Sequence, residues 1–118
     1  MKQPLTIVRG TTRTISISIT NENGTPYSLE SGEVIRFGVK KRPSDTEYLF
    51  HKEITSPGQE AGVYTFIINP ADTENANFGC YYYDVGLQSG TSYFNIIECS
   101  EFRITHNVTK RVVIVDGG

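Results

Sequence analysis

The sequence predicts an all-β protein, an immunoglobulin-like Greek-key sandwich of about seven strands with one short helical turn near residues 70–76. Three observations carry that expectation. Apolar and polar residues alternate with period two along most of the chain, as they do in strands with one face buried. Thr, Ile, Val, Tyr and Phe dominate the larger side chains while Met occurs once, and branched and aromatic side chains fit a pleated, half-buried surface. Turn signals built on Gly, Asn and Pro recur about every 8–12 residues.

Each element can be read in order. Leu5 to Val8 is a short run that ends at Arg9-Gly10. Thr12 to Thr20 puts Ile15, Ile17 and Ile19 on one face and Thr14, Ser16 and Ser18 on the other. It stops at Asn21-Glu22-Asn23-Gly24, where Asn and Gly tolerate the positive φ of a tight turn. Glu33 to Lys40 points Ile35, Phe37 and Val39 inward, and residues 41–46, with Pro43, form a loop. Glu47 to Ile54 is a strand with Tyr48, Phe50 and Ile54 on one side and His51 toward solvent. A turn over residues 56–62 leads to a fifth strand, Val63 to Ile68. From Pro70 to about Ala76 a helical turn is expected: Asn69 caps it, Pro70 suits its first position, and Asp72 lies where the helix dipole favours an anion.

The last hairpin is expected to turn at Ser89-Gly90, which sets Val85 opposite Phe94 and Tyr83 opposite Ile96 on an inner face. The same register sets Gly86 opposite Tyr93, whose ring can cover the glycine, and Cys80 opposite Cys99. The final strand continues through Phe102 and Ile104 with a bulge near Cys99-Ser100.

The 118 residues suit one domain, a sandwich over residues 1–109 followed by a tail over 110–118. A formal net charge of −2 gives no general attraction to nucleic acid or anionic membranes, and Lys40-Lys41-Arg42 and Lys110-Arg111 read as solvated turns or strand ends. No stretch approaches the roughly 20 apolar residues that span a bilayer, and residues 1–6 lack the apolar core of a secretory signal, so a soluble protein is expected. The Asn-x-Thr triplets at Asn23 and Asn107 then carry no glycan.

Little in the chain suggests a reaction. Cys80 and Cys99 lack metal-ligand spacing and are expected as unlinked thiols, with a cross-strand disulfide the alternative. His51 and His106 fall in no nucleophile motif, and Asp45, Glu47, Asp72, Glu74 and Asp84 lack calcium-loop spacing. The expectation is therefore no catalytic residue, no cofactor and no metal.

Two features point instead to binding. Tyr81-Tyr82-Tyr83 splits by parity, Tyr81 and Tyr83 inward and Tyr82 outward, and Tyr82 with Tyr93 is a candidate contact surface for a sugar or a partner protein. Tyr81 is a candidate corner tyrosine whose hydroxyl bonds back to the Asp72 region. In the tail, Val112, Val113, Ile114 and Val115 form a continuous apolar run that either folds back onto its own sheet or adds a strand to a neighbour.

The order of several short motifs resembles a known family. Ile7-x-Arg9-Gly10-x-Thr12 opens the chain and Asn23-Gly24-x-Pro26-Tyr27-x-Leu29 follows the second strand. Gly62-x-Tyr64 leads to Ile68-x-Pro70-x-Asp72-Thr73, and Gly79-x-Tyr81-x-Tyr83-Asp84-Val85-x-Leu87 begins the last hairpin. Over residues 5–109 this resembles the immunoglobulin-like N-terminal domain of the baseplate upper protein of phages of Gram-positive hosts. The resemblance implies a virion structural part, found in the virion or in the host bacterial cytoplasm before assembly. Its partners would be other virion or tail proteins or further copies of itself, and it brings no catalytic residues. Thr11 stands where such openings often carry an acidic residue, and no long helical segment follows, so an accessory or connector role stands beside a baseplate one. A carbohydrate-binding or adhesin-like module is the alternative. The two differ in aromatic exposure: two or more exposed tyrosines flanked by polar residues favour sugar binding.

Overall fold

Alternating burial builds the sheets. Along Glu33–Lys40 (β3) every second side chain is fully enclosed, with Ile35, Phe37 and Val39 pointing inward as expected. The other strands are β1 (Leu5–Val8), β2 (Arg13–Ser18), β4 (Phe50–Ile54), β5 (Val63–Ile68), β6 (Gly79–Ser89) and β7 (Ser92–Thr105), with one helical turn, α1 (Pro70–Thr73). The computed structural model describes residues 2–56, 58 and 60–108. Among them the protein is mostly β, as the sequence predicts. Val112, Val113, Ile114 and Val115, and with them the expected tail strand, lie outside the described residues.

A five-stranded sheet in the order β1-β7-β6-β3-β4 faces a two-stranded sheet of β2 and β5. β1 runs parallel to β7, and all other pairings are antiparallel. Between the layers the core is largely aromatic. Phe37 packs against Phe66 and Tyr83, with ring centroids 5.4 Å away in each case, and Phe102 meets Phe50 at 5.9 Å. These offset and edge-on contacts add specificity to the area they bury. No helix among the described residues is long and apolar enough to cross a membrane.

Polar groups close the ends of the sandwich. The Tyr64 hydroxyl donates to the Tyr27 carbonyl at 2.7 Å and accepts the Leu29 N–H at 2.8 Å, so a buried phenol uses both roles. The buried Glu33 carboxylate accepts from the Tyr27 hydroxyl at 2.5 Å and the Glu30 N–H at 2.8 Å. Those bonds hold Glu33 below the usual carboxylate range and push Tyr27 up to about 12. At α1 the Asp72 carboxylate reaches back to the Asn69 N–H at 2.7 Å and also pairs with Lys52 at 2.7 Å. The fully buried Thr73 hydroxyl receives the Gly10 N–H at 2.9 Å, tying the helical turn to the first strand.

Several expectations need correction. The helix ends at Thr73 and continues only as a turn, since Ala76 N–H bonds to Thr73 rather than one residue further back. β2 is shorter than the expected run, and Thr20 instead bridges to Pro26. β4 begins at Phe50, not Glu47, and Tyr48 is not on the inner face with Phe50 and Ile54. The Tyr81 hydroxyl donates to the Asn77 carbonyl at 2.9 Å, four residues earlier in the chain, and not to the Asp72 region.

The last hairpin turns at Gly90-Thr91, with Ser89 opposite Ser92, and Gly90 takes the positive φ of 59° that this turn demands. The register therefore differs from the expected one throughout. Val85 faces Ile97, Tyr83 faces Ser100, Leu87 faces Phe94 and Cys80 faces Arg103. Two register shifts, on either side of Val85, place irregularities in β7 before Ile97 and before Ser100. The second agrees with the bulge expected near Cys99-Ser100. Cys80 and Cys99 are free thiols.

Candidate functional site

The outer face of the five-stranded sheet is where this fold departs from a plain polar surface. β3 presents Arg36, Gly38 and Lys40 there, and β6 presents Tyr82, Asp84, Gly86 and Gln88 beside them. Two of these positions are glycines, so the backbone is bare at Gly38 and Gly86, and a tyrosine ring fills the space above each. A Cβ placed on Gly86 would sit 2.1 Å from the Tyr93 hydroxyl oxygen, and one on Gly38 would sit 2.6 Å from Tyr48 Cε1. Tyr93 arrives diagonally from β7, since the residue opposite Gly86 is Asn95. The expected covering of Gly86 by Tyr93 thus occurs, through a register two residues away from the expected one. Tyr48 comes from the chain leading into β4.

Both rings keep half their surface in solvent, with 53% of Tyr48 and 51% of Tyr93 exposed. Between them Asp84 opens into two adjoining shallow depressions of about 180 and 270 Å³ that share Gly38, Tyr48, Asp84 and Tyr93. The Asp84 carboxylate accepts no hydrogen bond among the described residues. Partial burial raises its pKa, and Lys40 pulls it back. Burial and the Asp84 charge likewise raise the pKa of the Tyr93 hydroxyl.

The rim is polar. The Lys40 ammonium stands 4.8 Å from the centre of the Tyr48 ring, and the His51 ring lies 5.3 Å from Tyr48. Arg36 bonds to Gln88 at 2.9 Å and forms an ion pair with Glu53. Lys40 is the last residue of β3, a strand end as expected, and its ammonium also borders this surface, whereas Arg42 pairs with Asp45 in the loop that follows. His106 stacks on Phe78 with ring centroids 3.6 Å apart. Among the described residues no group of three or more His, Cys, Asp or Glu side chains is placed to hold a metal ion.

Of the candidate binding residues, Tyr93 belongs to this site. Tyr82 lies at its margin, half-buried, with its pKa raised first by the neighbouring Cys80 thiol. Sequence reasoning missed Tyr48, because parity within an assumed strand from Glu47 sent it to the core. The signal that finds it is Gly38: a glycine inside a strand marks a close approach, and here the approaching group is an aromatic ring. No protein-family model matches the sequence, and no curated protein matches it closely enough to indicate kinship. Fold and site together define a β-rich domain with an open, aromatic-lined face.

Proposed function

We propose that this chain is a non-catalytic structural protein of a tailed phage or prophage, a baseplate, tail or head accessory or connector that works by protein–protein assembly. The order of its sequence motifs supports the phage setting, and the sheet order supports reading the sandwich as an immunoglobulin-like Greek key. The observation that carries an assembly role is the set of free strand edges. β1 and β4 bound the larger sheet, and β2 and β5 each pair on one side only among the described residues. A strand edge offers N–H and C=O groups that can accept a strand from a neighbour. On β1 the outward Thr6 and Val8 carbonyls are already taken by Arg13 and Thr11, so β4 and the smaller sheet are the edges better suited to it. Exposed Ile67 on β5 and Val8 on β1 give that neighbour apolar surface to cover.

Two measurements test the proposal: protein mass spectrometry of virions purified after prophage induction, and native mass over a concentration series. The chain is expected in the particles and, alone, as discrete symmetric oligomers. Absence from the particles together with a monomer at every concentration would overturn the proposal.

A carbohydrate-binding module is the second reading. It is favoured by Tyr48 and Tyr93, two exposed tyrosines flanked by Arg36, Lys40, Asp84 and Gln88.

A further inference from the structure

We propose that the depression between Tyr48 and Tyr93 binds one neutral pyranose unit of a saccharide, with the sugar's C–H surface against the two rings and its hydroxyls on Asp84. The inference rests on the second reading above and assigns it a site and a ligand class.

The rings supply the apolar half of the recognition. Each lies over a bare glycine, so it is braced by strand backbone on one side and half exposed on the other. The face of an aromatic ring is electronegative and attracts the weakly positive C–H hydrogens that line a pyranose. Bracing matters because a tyrosine already held in place loses little freedom when the ligand arrives.

Asp84 supplies the polar half. An ionised carboxylate can only accept, and this one, partly buried on the lining of the depression, accepts no hydrogen bond from its described neighbours. Its oxygens face an open depression with no protein donor, so a ligand rich in O–H groups can supply that partner in place of water. Lys40 and Arg36 place N–H donors at the rim, where they can meet ring or hydroxyl oxygens.

Charge selects a neutral occupant. Lys40 already answers Asp84 and covers part of Tyr48, so an incoming ammonium would be repelled, while an anion would meet the Asp84 carboxylate. The dimensions agree. The two depressions, about 180 and 270 Å³, are open and lie below the ~300–1,000 Å³ of enclosed small-molecule pockets, which suits one sugar unit of a longer chain.

The test is an amide NMR titration of the full chain with neutral cello-, malto-, galacto- and fully N-acetylated chito-oligosaccharides, and separately with tetramethylammonium chloride. One saccharide class at millimolar concentration is expected to shift the amides of Gly38, Asp84 and Gly86. Tyr48→Ala, Tyr93→Ala and Asp84→Ala should each weaken that binding about tenfold or more. Ser18→Ala on the other sheet should leave it unchanged, and each variant's amide dispersion shows whether it is folded. Saccharide shifts at other residues would overturn this site and leave the carbohydrate-binding reading standing. No shift with any saccharide would remove both. Tetramethylammonium shifts at Tyr48 and Tyr93 in place of saccharide shifts would make the depression a cation site and overturn the proposal.

Discussion

The two faces of the five-stranded sheet use aromatic side chains in opposite ways. On the inner face Phe37, Phe50, Tyr83 and Phe102 meet one another ring against ring and, with Phe66 of the smaller sheet, exclude water. The polar handles of the inner tyrosines are all engaged: Tyr83 donates to the Gln3 carbonyl, Tyr81 to Asn77 and Tyr64 to Tyr27. On the outer face Tyr48 and Tyr93 rest on glycines, stay half exposed, and border a carboxylate with no donor of its own. The inner arrangement is what stability requires. The outer one leaves contacts unmade, and unmade contacts on a rigid sheet are what a ligand can complete.

Substitutions separate the two faces, and the largest effect belongs to the core. Phe37→Ala should cost about 3–5 kcal/mol in urea unfolding, since the ring is fully enclosed by three aromatic neighbours. A loss under about 1 kcal/mol would mean that the inner layer is not the core described. Tyr64→Phe keeps the ring but strands the Leu29 N–H and the Tyr27 carbonyl, for an expected loss of about 1–3 kcal/mol.

Next comes pH. Glu33 has a lowered pKa, so its contribution is present above the unfolded carboxylate value and is lost as pH falls through the folded one. Tyr27 is raised to about 12, so its contribution is complete below the unfolded tyrosine value and is lost as pH rises through about 12. Tyr27→Phe should lower the unfolding free energy by about 1 kcal/mol at neutral pH and flatten both limbs of the profile. An unchanged profile would show that the pair does not form.

Outer-face changes should be smaller. In Gly86→Ala the new methyl displaces the Tyr93 ring, a movable group, while the strand gains from losing a glycine. Stability should move by less than about 1 kcal/mol, yet the Tyr93 ring resonances should shift. A large loss of stability would mean that Tyr93 supports the fold. Smallest is Asp84→Asn. Burial raises the folded pKa of Asp84, so the acid form's stabilising contribution is complete below the unfolded carboxylate value and lost as pH rises. The neutral amide should raise the unfolding free energy at pH 7 by well under about 1 kcal/mol, with no gain in acid. A drop at pH 7 would place a hidden donor on Asp84.

Strands whose two sides differ sharply were legible from residue order. β3 and β5 have the boundaries expected from alternation, and Tyr81 and Tyr83 are buried while Tyr82 is only half-buried, as parity requires. The hairpin register was not legible. Ser89-Gly90 and Gly90-Thr91 are both acceptable two-residue turns around the same glycine, and the bulges in β7 then displace its inner residues further. Tyr48 was misplaced for a related reason: alternation assigns a face only within a strand, and the chain reaches pairing geometry only at Phe50.

By itself, then, the sequence determined the all-β class, the inner residues of the regular strands and the tyrosines around β6. These follow from side-chain period and propensity, which act over neighbouring residues. Tertiary structure alone decided which strands pair, where β7 bulges, and that Tyr48 and Tyr93 meet beside Asp84 on a glycine floor. That juxtaposition joins residues 38, 48, 84, 86 and 93 from three strands and one approach segment. Packing across the sheet sets it, and no local pattern along the chain records it.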